Sequence, residues 1–368
     1  MNRTRWTYRP GPASASWLLI AVLAAPVPAH ADTSSWFSRS PDIPAEQPVK
    51  RSVAPKPKPA AGIATAPEKS AKPAAKNLIP SQVPLTGNDP AYLAFDQGQY
   101  LTALKLANEA AARGEPQANT LIGRIYAEGL GVPKDEKAAV AWFIKAADLG
   151  DIGGTFALAL MLADGRGGAK NREGAAQLFE KAALTGHAEA NYNLGLLFLK
   201  GDGKPENPIR AGQHILYAAE KGVAQAQYDM AALYQSGTGV EANAFEAAKW
   251  LSKAAAQGLA VAQYDYAVML LKGYGLKSDE PKAVSYMKAA AERGVAGAQN
   301  RMAYLYVDGV GVQKSPAEAA KWRLVAKQNG LADEALDATI SKFSKADQQK
   351  GAAAAAAWAD KAQVLPLR

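Results

Sequence analysis

An all-α fold, a right-handed solenoid of stacked helix pairs, is predicted for the body of this 368-residue chain by three observations. The first is a set of glycines in strict register. Gly114, Gly150, Gly186, Gly222, Gly258, Gly294 and Gly330 stand 36 residues apart, and two more columns with the same step run from Gly129 to Gly309 and from Gly131 to Gly311. The second is a column of helix-capping residue types: Asp135, Asn171, Asn207, Asn243, Asp279 and Ser315. The third is alanine at helical spacing, at 139, 175, 211, 247, 283 and 319 and again seven residues later in each repeat. Fixed self-similarity at such a period is the mark of a repeat architecture, whose units cannot bury a core alone and must share one with their neighbours.

The elements follow in order. Each capping residue can accept from the exposed amides of a first helical turn, and Pro208 and Pro316 follow directly, where a missing N–H costs nothing. This opens a helix B whose apolar face runs i, i+3, i+4, i+7, i+8, as in Ala247, Trp250, Leu251, Ala254 and Ala255. The lone glycine that ends each repeat suits a left-handed helix stop. Before it lies a helix A, for example Ala226 to Tyr234, ended by the first glycine of Gly-x-Gly, while the second frees the loop to turn back. Small residues recur in helix A at Gly123, Ala159, Gly195, Ala231, Ala267 and Ala303, so that neighbouring backbones can approach. Residues 151–186 carry Gly153-Gly154 where helix A should begin, and a locally looser repeat is expected there.

Other segments bound the array. Residues 1–31 read as a secretory signal peptide, with Arg3, Arg5 and Arg9 ahead of an apolar stretch from Ala13 to Ala25 and the small-x-small site Ala29-His30-Ala31. The apolar run is too short for the ~20 residues of a membrane-spanning helix. A periplasmic location with no membrane insertion of the mature chain is expected. Residues 32–88 are rich in Pro, Ala and Lys and read as a disordered linker. Residues 89–114 form a shortened capping pair, residues 115–330 six repeats, and residues 331–368 capping helices and tail, with a further helix A expected over Leu331–Lys342 and a last helix opened by Ser344 and Asp347.

Composition excludes several functions. There is no cysteine, so there is neither a disulfide frame nor a thiolate metal site. The formal charge of +8 is concentrated at the start: residues 1–88 hold 11 Lys/Arg against 4 Asp/Glu, and the rest hold 31 against 30. No basic face for nucleic acid is implied. His187 and His214 are the histidines left after signal removal. His214 falls in a packing column, His187 opens a helix and is expected to be solvated, and neither suggests a metal or catalytic site. The Gly-x-Gly pairs follow no strand and lack a Gly-Lys-Ser/Thr ending, so they read as turns. Asp164, Asp265 and Asp308 fall on or near helix A ends, where solvated or capping roles suffice. No cofactor is implied.

The pattern small-x-x-Leu/Ile-Gly/Ala-x-x-Tyr, then Gly-x-Gly-Val, then Lys-Ala-x-x-Trp-Phe-x-Lys-Ala-Ala-x-x-Gly resembles the Sel1-like repeat, a relative of the tetratricopeptide repeat. Leu121 through Gly150 carry it most fully. The resemblance implies a non-enzymatic scaffold, adaptor or regulator that holds a protein partner in the concave groove of the array, as in exported relatives that bind sensor kinases or assemble surface structures. An alternative implied by other relatives is an enzyme or binder acting on peptidoglycan or β-lactam-like ligands, but those relatives are cysteine-rich. The aromatic columns supply the partner-binding candidates: Phe156, Tyr192, Tyr228 and Tyr264 on helix A, and Trp142, Trp250, Tyr286 and Trp322 on helix B. Inter-helix packing is the competing role for each, and Trp and Tyr are favoured interface anchors.

Overall fold

The computed structural model describes residues 89–364; the expected signal peptide (1–31) and linker (32–88) lie outside the described residues. Among the described residues there are sixteen α-helices. A first pair, α1 (Pro90–Asp96) and α2 (Tyr100–Ala112), precedes six pairs of one design. These are α3 (Pro116–Glu128) with α4 (Glu136–Asp148), α5 (Ile152–Asp164) with α6 (Arg172–Leu184), and α7 (Ala188–Lys200) with α8 (Pro208–Glu220). They continue as α9 (Ala224–Ser236) with α10 (Ala244–Ala256), α11 (Ala260–Lys272) with α12 (Glu280–Glu292), and α13 (Ala296–Asp308) with α14 (Pro316–Gln328). The chain closes with α15 (Glu334–Ile340) and α16 (Lys345–Val364). Each helix packs on the next in sequence, except that the short α15 touches α14 only lightly and α16 takes its place against α14.

Every helix of the six repeated pairs is 13 residues long because the same chemistry starts and stops it. All six capping side chains accept from the first turn of helix B; Asp135 takes Ala138 N–H at 2.9 Å and Asn243 takes both Phe245 and Glu246. The cap residue's own N–H reaches back to a carbonyl near the end of helix A, as Asn243 does to Tyr234 at 2.8 Å, and so clamps the turn. Helix B ends in a Schellman motif: Gly150 N–H donates to Ala147 and Asp151 N–H to Ala146.

The core runs along the array in three clusters. One extends from Phe156 to Leu336, and two gather α1 to α5 around Ile122 and Phe143. Both alanine columns of helix B are fully buried, and the small residues of helix A are where the two helices of a pair touch. A Cβ added at Gly195 would lie 2.7 Å from Ile215 Cγ1, so helix crossing at this distance requires the missing side chain.

Two expectations need correction. The repeat at 151–186 is not looser: α5 runs its full length through Gly153-Gly154. Gly154 is buried so closely that an added Cβ would sit 2.4 Å from Ala146 Cβ. The helix expected over Leu331–Lys342 is shortened to Glu334–Ile340, opened by Asp333, which accepts from Leu336 N–H. The final helix continues past Trp358, and Ser344 caps it by accepting Asp347 N–H at 3.1 Å. It crosses α14 through Gly351 and the buried Ala355, and Trp358 meets Trp322 edge-on at 6.3 Å.

Candidate functional site

The helix A aromatic column divides when seen in three dimensions. Phe156 and Tyr192 are buried, with Phe156 stacked on His187 at 4.6 Å between ring centres. Tyr228 and Tyr264 stay half-exposed. The tyrosines join successive A helices. Tyr192 of α7 donates its hydroxyl to Asp229 Oδ2 of α9 at 2.8 Å, and Tyr228 of α9 does the same to Asp265 Oδ2 of α11, also at 2.8 Å. Thr120 with Asp151 at the start and Asn300 with Asp333 at the end occupy the same column and make the same kind of bridge. Asp265 is therefore no solvated helix end but the acceptor in an inter-repeat ladder.

Burial sets the ionisation of this ladder. Desolvation, helped by the facing carboxylates, holds the Tyr192 and Tyr228 hydroxyls well above the ordinary tyrosine range. Desolvation also pushes Asp265 up to about 6 against the stabilising bond from Tyr228, and raises Asp229 likewise. The carboxylates of the C-terminal cap behave in the opposite way: hydrogen bonds from Arg323 and Lys327 hold Asp337 low.

The helix B column divides too. Trp250 and Trp322 are buried core residues, while Trp142 and Tyr286 are half-buried. Phe156, Tyr192, Trp250 and Trp322 thus have packing roles and no face to offer a partner. Lys145 Nζ lies 3.8 Å from the centre of the Trp142 ring, and Lys253 sits at the same distance over Trp250. Trp142 also lines an open hollow of about 480 Å³ with Asn108, Ala111, Ala112, Asn119, Lys145, Asp148 and Leu149. His214 is half-buried as the packing column requires, against Phe198 and within 2.9 Å of Asn191 Oδ1. His187 departs from expectation: it is not solvated but caps α7, its Nδ1 accepting from Ala190 N–H. Burial lowers the pKa of both histidines.

A second column went unread in the sequence. Asn119, Thr155, Asn191, Gln227, Gln263 and Gln299 are all buried polar residues. Gln227, Gln263 and Gln299 donate to Ala219, Ala255 and Ala291, carbonyls near the end of the preceding helix B. They meet the orphan carbonyls that any helix C-terminus leaves. The signal was present as a column of amide or hydroxyl side chains, hidden because polar residues on a helix read as surface.

With this geometry in hand, comparison with known proteins decides the family. The Sel1 repeat matches residues 116–151, 154–187, 188–223, 224–259, 260–295 and 296–324. The chain is a Sel1 repeat protein. The second Sel1 match begins at Gly154, beyond the Gly153 that departs from the pattern. Among solved structures, the Sel1 repeat protein from Oxalobacter formigenes is 30% identical, with a TM-score of 0.57, over 65% of this chain and 98% of that one. A protective antigen of uropathogenic Escherichia coli is 25% identical with a TM-score of 0.47, covering 73% of this chain and 68% of that one. An immunity protein from Pseudomonas aeruginosa is 21% identical with a TM-score of 0.38, over 55% and 81%. No curated protein matches the chain. Among the described residues of this Sel1 repeat protein, no helix is long and apolar enough to cross a membrane.

Proposed function

We propose that this protein is a non-catalytic periplasmic scaffold whose Sel1 array holds a segment of a protein partner against the A helices. The observation that carries the reading is the division of the tyrosine column. Tyr228 and Tyr264 sit on adjacent A helices, each half-buried, and the hydrogen bond to Asp265 fixes how Tyr228 is presented. Rigid, amphipathic rings held in place before binding lose little entropy when a partner arrives. The location rests on the sequence alone, on the Arg3–Arg9 charge, the apolar run and the Ala29-His30-Ala31 site.

Affinity capture from envelope fractions tests the reading. Full-length protein is expected to retain a specific partner, and the double substitution Tyr228→Ala, Tyr264→Ala to lose it by tenfold or more, about 1.4 kcal/mol, with an unchanged circular dichroism spectrum. Equal capture by the folded double variant, or turnover of wall fragments with no protein retained, would refute it.

A further inference from the structure

The tyrosine ladder lacks a rung where α5 meets the start of α7. Tyr192 and Tyr228 give their hydroxyls to Asp229 and Asp265. One repeat earlier the donor's place is held by Phe156, which has no hydroxyl, and the acceptor's place by Asn193. Asn193 is fully buried; its Nδ2 donates to Glu189 O in the first turn of α7, and its Oδ1 accepts nothing. An unmet buried acceptor is a cost that the next two junctions do not carry.

The start of α7 is held instead by His187. Its Nδ1 accepts from Ala190 N–H at 3.2 Å, and its ring stacks on Phe156 at 4.6 Å. Among the A helices of the six repeats, α5 and α7 are the two that a side chain caps. Asp151 does this for α5 with a carboxyl group, which keeps an acceptor oxygen in either protonation state. An imidazole nitrogen accepts only while it is bare, and both nitrogens of the cation are donors. Phe156 of α5, and Phe179 of α6 beside it, offer the ring no charge. Glu189 Oε2 of α7, 3.4 Å from Nδ1, is the one charged group of the described residues that bears on it. Burial outweighs that carboxylate and holds the His187 pKa below the ordinary histidine value. The positive pole of the α7 N-terminus also disfavours a cation there.

We infer that His187 is a proton-operated latch at the junction of the second and third repeats. Neutral, it caps α7 and rests on Phe156. Protonated, it gives up the Ala190 amide, turns its Nδ1–H to Glu189 and frays the first turn of α7. The missing rung makes this junction the one that yields, because no hydroxyl from α5 reaches Asn193 to tie α7 down. The later junctions, tied by Tyr192 and Tyr228, hold. The latch goes beyond the scaffold reading and does not depend on where a partner sits.

Amide exchange of the full-length protein, followed by NMR and divided by the intrinsic rate at each pH, tests the latch. Between about pH 7 and about pH 5 the protection of Ala190 and Asn191 is expected to fall about tenfold. The midpoint of that fall should match the titration of the His187 ring nitrogens. Gln227 and Gln263 hold the position of Asn191 in α9 and α11, with the same bond from their amides to Val223 O and Leu259 O, and are expected to keep their protection. His187→Asn supplies a capping acceptor that does not titrate, and should abolish the fall. Protection of Ala190 and Asn191 that is the same at both pH values would overturn the latch. So would a midpoint that follows His214, an equal fall at Gln227 and Gln263, or an undiminished fall in folded His187→Asn.

Discussion

A buried side-chain amide is stable where both its ends are met, and this makes the glutamines of helix A sensitive positions. Gln299 is fully buried, gives its N–H to Ala291 O and takes Asn329 Nδ2 at 2.8 Å. Gln299→Leu fills similar space but removes the side-chain donor of Ala291 O and the acceptor of Asn329 Nδ2, and a loss of about 1–3 kcal/mol for the two bonds is expected. Urea unfolding with an unchanged denaturant slope would register it. A loss below about 0.5 kcal/mol would show that water reaches those groups. The same logic explains which site residues could be read in advance. The N-cap column was legible because capping depends on neighbours three residues away. The amide column was not, because its partners lie eight and thirty residues away, where only the folded chain brings them.

At the scale of the helix pair, the second glycine of each Gly-x-Gly does more than release a turn. Gly239 has φ +71°, and a Cβ there would stand 2.0 Å from Pro208 O, on the first turn of the previous helix B; Gly275 meets Ala244 O in the same way at 2.1 Å. The loop of one repeat is thus seated on the helix start of the repeat before it. Gly239→Ala adds a left-handed penalty to a backbone clash, and a cost above about 2 kcal/mol is expected. Amide exchange should localise the damage to α8, the 237–243 loop and α10. A cost confined to about 1 kcal/mol would mean that only the turn conformation matters and that the seat can shift. Sequence reading found the glycine and its period but assigned it the weaker of its two jobs, since the second contact belongs to a different repeat.

Across the whole molecule, ionisable groups pull the pH dependence of stability in different directions. Asp265 titrates near 6 when folded against about 3.9 unfolded, so folding takes up a proton between those values. Its contribution is fully present below about pH 4 and is lost as pH rises to about 6, by up to ~3 kcal/mol. Asp229 acts in the same sense. Asp333, Asp337, Glu136 and Glu180 have lowered values and withdraw stability as pH falls below the ordinary carboxylate range. His187 and His214, held neutral by burial, withdraw theirs as pH falls below about 6.5. Asp265→Asn isolates one term. The stability difference between Asp265→Asn and the parent should move in favour of the variant as pH rises from 4 to 6 and be level above that. A difference that does not change across this window would mean that Asp265 ionises normally and that the ladder is solvated.

The sequence by itself determined the family, the number of repeats, where each paired helix starts and stops, and the helical face that is buried, because each depends on residues within one or two turns or on a period that can be counted. Only the tertiary structure decided which aromatics are core and which are surface. Tyr192 and Tyr228 occupy one column and make the same bond, yet one is 1% exposed and the other half-buried, because exposure depends on surroundings that only the folded array brings to each ring. A repeat makes neighbours chemically alike, and only the folded array decides how far the surroundings of each one differ.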